Sequence, residues 1–205
     1  MLKNIKIRSR LYLGFGILIA IFLAFSIFEI YELADWRDKI IDYKHVNKEI
    51  HDYRKIQLNA TSIRQSFTDA SLTKNKDVID KKAKPAFSRT LKILSKLLKK
   101  HENEIKALKD HSHKSIEEKQ KHKHLNLIKK IKDQFRTMWD LGIKMYRAYL
   151  IDGEQGNKVI IEYDRVSKRL IKAIAKLVKD EINEGDNKVE TMKTRAEDDI
   201  KINII

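Results

Sequence analysis

The chain contains no cysteine, and its 205 residues include only one proline and six glycines. The missing thiols exclude disulfides, thiolate metal sites and cysteine nucleophiles together. So few breakers argue against many short strands and for a few long helices. The local signatures of common enzyme chemistry are also absent: no phosphate-binding glycine loop, no HExxH pair, no Ser/His/Asp arrangement in a recognisable context. An enzyme is therefore not expected, nor a cofactor.

What is present is charge, 44 Lys and Arg against 29 Asp and Glu, for a net +15. Taken alone, that excess suggests a polyanion binder whose affinity falls steeply with salt. Dilution of the lysines by acids and one long apolar run oppose a nucleic-acid partner. Leu11 to Phe28 (LYLGFGILIAIFLAFSIF) carries no charge, and with the residues up to Leu33 it approaches the ~20 needed to cross a bilayer core. Backbone groups in lipid must be satisfied internally, so this stretch is expected to be helical. Lys3, Lys6, Arg8 and Arg10 precede it, and a positive flank stays on the cytoplasmic side. Tyr31 and Trp36 follow it, where aromatic side chains favour the interface. A cleaved signal peptide would have an apolar core of ~7–15 residues and a small-residue cleavage site. Here the run is longer and continues into bulky, charged EIYELADWRDK, so an anchor is expected. The sequence ends on Ile200-Lys201-Ile202-Asn203-Ile204-Ile205, which reads as the start of a second span. The expected organisation is a cytoplasmic leader over 1–10, a transmembrane helix over 11–33, an extracytoplasmic domain over 34–199 and the second span from 200.

Hydrophobic spacing predicts four long helices. The first continues from the span to about Leu72, stepping through Ile40, Tyr43, Val46, Ile50, Tyr53, Gln57, Thr61, Arg64, Phe67 and Ser71. Residues 73–77 form a turn, with Asp77 as the expected N-cap of the second helix. That helix runs to Leu108 on a stripe through Ile79, Ala83, Phe87, Leu94 and Ile105, with Pro85 costing a hydrogen bond or moving its start to about Lys84. Residues 109–114 (KDHSHK) turn the chain, and Ser115 with Glu118 has capping-box spacing. The third helix carries Ile116, Leu127, Ile131, Phe135, Met138, Gly142, Met145 and Tyr149 up to a break at Asp152-Gly153. The fourth carries Val159, Tyr163, Val166, Leu170, Ile174, Leu177 and Val189. Helices of this length joined by short turns pack up-down-up-down, so the expected fold is all-α: an antiparallel four-helix bundle with an N-terminal transmembrane helix.

Three stretches carry a family likeness. MLKNIKIRSRLYLGFG resembles the basic leader and first span of methyl-accepting chemotaxis receptors. SIRQSFTDASLTKNKD is similar to the end of their first sensor helix and its turn. MWDLGIKMYRAYLIDGEQGNKVIIEYDRVSKRL resembles the third helix, turn and fourth helix of one branch of their four-helix sensors. The lysine-rich stretch between the second and third helices departs from that pattern. The resemblance implies a sensor domain outside the inner (cytoplasmic) membrane of a bacterial cell. It implies a homodimer that passes helix displacement through a second span to a HAMP module and a signalling rod, neither of these last two being contained in this chain. Histidine kinases and diguanylate cyclases use the same input architecture, and a membrane-anchored scaffold is the alternative of a different class.

Candidate ligand-binding residues lie toward the membrane-distal end. Thr61, Arg64, Gln65, Thr68 and Asp69 fall in the last turns of the first helix, Trp139, Tyr146 and Tyr149 near the end of the third, and Asn157 and Asp164 early in the fourth. An arginine there can take a carboxylate bidentately and aromatic faces can line the rest, which points to a small, anionic ligand. Each aromatic can equally be core, and each polar group a solvated or interhelical one. His111, His113, His122 and His124 offer imidazoles, but neighbouring lysines repel a cation and histidines two apart do not share a helix face, so no metal site is expected. Lys96, Lys99, Lys100, Lys106, Lys109, Lys114, Lys119, Lys121 and Lys123 surround that turn and are read as a collar against lipid head groups.

Overall fold

The computed structural model of the chain describes residues 7–109 and 115–202. Among the described residues there are helices and no strand, so the fold is all-α. Four helices account for it. Helix α1 is Ile7–Thr73. Helix α2 opens with one turn at Lys76–Val78, widens into a π-helical turn at Ile79–Ala83 and continues as Lys84–Lys109. Helix α3 is Ser115–Ile151 and α4 is Gly153–Ile202. Lys3, Lys6, His111, His113, Lys114 and the terminal Asn203, Ile204 and Ile205, with the expectations placed on them, lie outside the described residues. The chain divides into two units, residues 1–45 with 188–205, and residues 46–187.

The first unit holds the apolar part of α1. It is the one described helix long and apolar enough to cross a membrane: an 18-residue window there has a mean hydropathy of 2.4 and no buried residue. Phe15, Phe22, Phe25 and Phe28 are all exposed. Apolar area left in water costs about 25 cal/mol per Å², so a run like this needs lipid or a partner. Just beyond it, Lys39 lies over the Trp36 ring at 5.9 Å and pairs with Asp35.

The second unit is a packed core. Along α1 the buried residues Val46, Glu49, Tyr53, Ile56, Ala60, Ile63, Phe67 and Ala70 alternate in steps of three and four, with Ser66 and Ser71 buried beside them. That is the heptad seam of helices crossing at a shallow angle. The stripe expected from sequence took Gln57, Thr61 and Arg64 instead, and the structure corrects it: Thr61 is exposed, Gln57 and Arg64 half-buried. Tyr53 and Phe67 belong to both paths, and steps of three and four join them either way. The core follows the path whose intermediate side chains are apolar. On α3, Ile131, Phe135, Met138, Gly142, Met145 and Tyr149 are buried as the spacing indicates. On α4, Tyr163, Leu170, Ile174 and Leu177 are buried, whereas Val189 is exposed and belongs to the other unit.

Contacts across the unit fix which levels meet. Asn59 of α1 donates to Thr90 of α2 at 2.9 Å, and Asp52 pairs with Lys96. Phe87 of α2 stacks on Phe135 and Trp139 of α3, with centroids at 5.4 and 4.4 Å, and Ser95 receives a hydrogen bond from Lys132 at 3.1 Å. Arg64 of α1 pairs with Asp164 of α4. Phe67 meets Trp139 edge-on at 5.0 Å and Tyr163 at 6.0 Å. Gly142 lets the Phe67 ring approach α3: a Cβ there would stand 2.7 Å from it.

The helix ends differ in detail from the sequence reading. Lys74 follows α1 with φ 55°, and the Asn75 N–H donates to the Ala70 carbonyl at 3.1 Å, a left-handed C-terminal cap. The N-cap of α2 is Asn75, not Asp77: its side-chain oxygen accepts from the Asp77 N–H at 3.0 Å. The helix starts two residues earlier than expected, which leaves Asp77 in its first turn to pair with Lys81 at 2.7 Å. Pro85 has no N–H to give to the turn before it, and the wide turn at Ile79–Ala83 lies there, with the regular α-helix beginning at Lys84. Between α3 and α4 only Asp152 is non-helical. Its N–H donates to the Ala148 carbonyl, its carbonyl accepts from the Gly156 N–H, and its carboxylate accepts from the Glu154 N–H at 3.3 Å. Gly153 has no positive φ, so a capping aspartate makes the break rather than glycine's freedom.

Candidate functional site

The residues singled out from sequence do not converge on one site. Arg64 directs Nε and Nη2 at Asp164 Oδ1, at 3.2 and 3.0 Å, so its fork is occupied by a carboxylate of the chain itself. Thr61, Thr68 and Thr73 turn their hydroxyls back onto α1 carbonyls, while Gln65 and Asp69 are exposed. Trp139 lies between Phe67 and Phe87 as part of the core edge. Tyr149 donates to Asn157 at 2.6 Å, and Tyr146 reaches the Lys74 carbonyl at 3.5 Å. Tyr163 is fully buried, and burial pushes its hydroxyl far above its ordinary range, so it stays protonated. Beside Trp139 runs an open groove of about 540 Å³, lined also by Asp140, Ile143, Lys144 and Arg147. A second groove of about 370 Å³ is lined by Lys55, Asn59, Arg89, Lys92 and Ile93, with no acid among them.

The most unusual chemistry lies deeper. At one level of the second unit the apolar seams are interrupted on all four helices by Glu49 and Tyr53 (α1), His101 and Glu104 (α2), His124 (α3) and Glu181 (α4). Glu49, Tyr53, His101 and Glu181 are buried, the last two only 5% and 3% exposed. The imidazoles of His101 and His124 stack at 5.2 Å with 13° between planes, and Tyr53 stacks on the far side of His124 at 6.2 Å. His101 stands between two carboxylates: Nε2 is 3.7 Å from Glu49 Oε2 and Nδ1 is 3.4 Å from Glu104 Oε2. His124 Nε2 lies 2.9 Å from Glu181 Oε1, within charge-assisted reach though off the line of an ideal hydrogen bond. Lys100 donates to Glu49 and stands 3.5 Å from Glu104, and Lys121 donates to Glu104 at 3.2 Å. Lys100 and Lys121 are engaged in the unit's own ion pairs; Lys96 pairs with Asp52 yet stays exposed, as do Lys99, Lys106, Lys119 and Lys123.

The network tunes its members. Burial opposes ionisation of Glu104, but the His101 contact and the charges of Lys121 and Lys100 outweigh it and bring the carboxyl down to about 2. Burial likewise opposes charge on His124, yet the Glu181 carboxylate, helped by Glu49 and Glu184, raises it above the ordinary imidazole value. Lys100 is raised in the same way, burial being outweighed by Glu49 and Glu104. The Tyr53 hydroxyl, buried among Glu49, Glu181, Glu104 and Asp52, is pushed far up and has no hydrogen-bond partner. Glu49, His101 and Glu104 could each offer a ligand atom to a metal ion, all within 4.8 Å of one another. However, Lys100 and Lys121 already neutralise those carboxylates, and a dication would have to displace them.

Of this layer, the sequence indicates Tyr53 as a position on the first-helix stripe, His124 as an unsuited metal ligand, and Lys100 and Lys121 as lipid contacts. Glu49, His101, Glu104 and Glu181 are not singled out by the sequence reading. Their signal was available: each lies in step with apolar neighbours, Glu49 three after Val46, His101 four before Ile105, Glu181 four after Leu177. A charged residue on a core stripe marks a buried polar contact.

No protein-family model, no curated protein and no solved structure matches this chain.

Proposed function

We propose that the chain is the ligand-sensing input region of a transmembrane receptor of the chemotaxis type: an N-terminal span, an extracytoplasmic antiparallel four-helix bundle, and α4 as the output element. The observation that carries this reading is α1, one unbroken helix from Ile7 to Thr73 whose first part is apolar and exposed and whose last part lines a core. A single helix shared by a lipid-seeking segment and a folded unit suits a receptor that moves helices along their axes. The up-down-up-down arrangement is supported by the order of contacts. Residue numbers rise in one helix as they fall in the next for Asn59–Thr90 and Glu49–Lys100, for Phe87–Trp139 and Glu104–Lys121, and for Tyr149–Asn157 and His124–Glu181. Orientation with the N-terminus in the cytoplasm rests on Lys3, Lys6, Arg8 and Arg10. A homodimer through α1 belongs to the same reading, supported by the exposed apolar side chains of Ile40, Ile41 and Leu58. Histidine kinase or cyclase outputs fit the same input.

The ligand in this reading is a small organic anion. It is placed in the groove beside Trp139, where Lys144 and Arg147 supply cations and the indole an apolar wall, because the Arg64 fork is held by Asp164. A ligand moves the equilibrium only through different affinity for two helix arrangements. Succinate titrated onto the full chain in nanodiscs, at matched ionic strength, tests it. Saturable thermal stabilisation that disappears in Arg147→Glu is expected. No saturable response to succinate or to a panel of related carboxylates would remove the anionic-ligand part of the reading.

A further inference from the structure

Three carboxylates, Glu49, Glu104 and Glu181, meet two ammonium groups, Lys100 and Lys121, inside the four-helix core. Asp52 with Lys96 forms a balanced pair at the edge, and Glu184 of α4 is exposed and stands outside the buried set. With both histidines neutral the layer therefore carries an uncompensated negative charge away from bulk water, which is costly. The geometry of His101 makes the same point. A neutral imidazole has one N–H and one lone pair, so whichever tautomer it adopts, one nitrogen sets a lone pair against a carboxylate oxygen. Both ring nitrogens are buried without a hydrogen bond, and only the imidazolium turns an N–H toward Glu49 and Glu104 at once, at ion-pair distance. His124 faces Glu181 with Nε2, and its ring lies against that of His101.

We propose that this layer is a proton-binding site: imidazolium formed on the stacked His101–His124 pair ties carboxylates of α1, α2 and α4 together from within the core, and its loss loosens the four helices at that level. The first proton cancels the excess negative charge. A second would enter a layer already neutral, beside a charged ring 5.2 Å away, so the stacked pair takes up a single proton. The raised proton affinity of His124, which Glu181 sustains against burial, agrees with this geometry. Because the folded state holds the proton more tightly than the unfolded chain, its contribution is complete below about 6.5 and is lost as pH rises through the folded-state value. The layer therefore stabilises the fold in mild acid and weakens it in mild alkali. Proton binding here stands independently of the membrane-receptor reading. Joined to that reading, it makes pH a stimulus that reaches α4 through Glu181.

The test is imidazole NMR of the full chain in nanodiscs from pH 5 to 9, with His101 and His124 signals assigned from His101→Gln and His124→Gln. The expected result is that His124 titrates above the ~6.5 of a free imidazole. In Glu181→Gln the His124 midpoint moves down. The wild-type melting temperature is expected to fall by about 2–4 °C between pH 6.5 and 8.5, and this slope flattens in His124→Gln. If a variant does not fold, the wild-type ¹⁵N shifts decide alone, since imidazolium and neutral rings differ clearly. Rings that stay neutral down to pH 5, or a melting temperature that rises from pH 6.5 to 8.5, would overturn the proposal. So would a stoichiometric Zn²⁺-induced stabilisation at pH 7.5 that His101→Gln abolishes, because it would make the layer a metal site. None of these outcomes bears on membrane topology, which is read separately.

Discussion

Replacing Gly142 by alanine sets two effects against each other. In a helix interior alanine is favoured over glycine by up to about 1 kcal/mol. The added methyl, however, would stand 2.7–2.8 Å from Cδ2, Cε2 and Cγ of Phe67, where carbon atoms need about 3.5–4.0 Å. The ring must retreat by roughly 1 Å, and Cγ, anchored near the backbone, cannot swing away. Phe67 is fully buried and wedged between Trp139 and Tyr163, so the retreat disturbs both contacts. Overpacking of this kind costs about 1–3 kcal/mol. The clash outweighs the propensity gain, for a net loss of about 1–2 kcal/mol and a melting temperature lower by several degrees. Gly185 supplies the control: a Cβ there meets only Val46 Cγ1, at 3.4 Å, so Gly185→Ala keeps the propensity gain without the clash. Thermal and urea unfolding of the full chain in nanodiscs, followed by circular dichroism, compares the two. Gly142→Ala combined with Phe67→Leu should lose less than the sum of the single changes, a coupling of about 0.5–2 kcal/mol. A Gly142→Ala protein as stable as Gly185→Ala would refute the packing described for Phe67.

Three further outcomes follow from the structure. Lys74 sits at φ 55°, where a side chain costs about 1–2 kcal/mol, so Lys74→Gly should stabilise the protein by about 0.5–1 kcal/mol in urea melts, since its carbonyl still meets Tyr146. Tyr53→Phe removes a buried hydroxyl that has no hydrogen-bond partner, so the melting temperature should stay level or rise, whereas a clear fall would mean that the hydroxyl is bonded. Glu104, with its carboxyl lowered to about 2, contributes stability that is present above about 4.5 and lost as pH falls toward 2; acid titration of the melting temperature from pH 5 to 3 should be steeper for the wild type than for Glu104→Gln.

The scarcity of breakers and the uncharged run from Leu11 made the all-α class and the candidate span readable from sequence, and Thr73 and Ile151 end their helices where turn chemistry pointed. The path of the α1 seam was not readable, because steps of three and four connect Tyr53 to Phe67 through Ile56, Ala60 and Ile63 as well as through Gln57, Thr61 and Arg64. Spacing constrains a periodic face only to within a residue; neighbours on other helices decide the rest. The same limit hid the partner of Arg64. Asp164 is 100 residues away, and nothing local says that the guanidinium is occupied. The histidine layer was obscured for a different reason. Glu49, His101 and Glu181 are residue types that usually face water, and only their phase against apolar neighbours sets them apart. Lysines read as a lipid-facing collar gave no hint that Lys100 and Lys121 turn onto the carboxylates of that layer.

The absence of cysteine provides a clean test of the central claim, that one N-terminal span anchors the chain with its helical core outside the cytoplasm. Single cysteines at Lys3 and at the exposed Leu72 are to be labelled in intact bacterial cells with a membrane-impermeant maleimide. The account expects Leu72→Cys to label in intact cells and Lys3→Cys only after the inner membrane is opened. Labelling of Lys3→Cys alone in intact cells, or of neither until lysis with the chain released by alkaline carbonate, would contradict it.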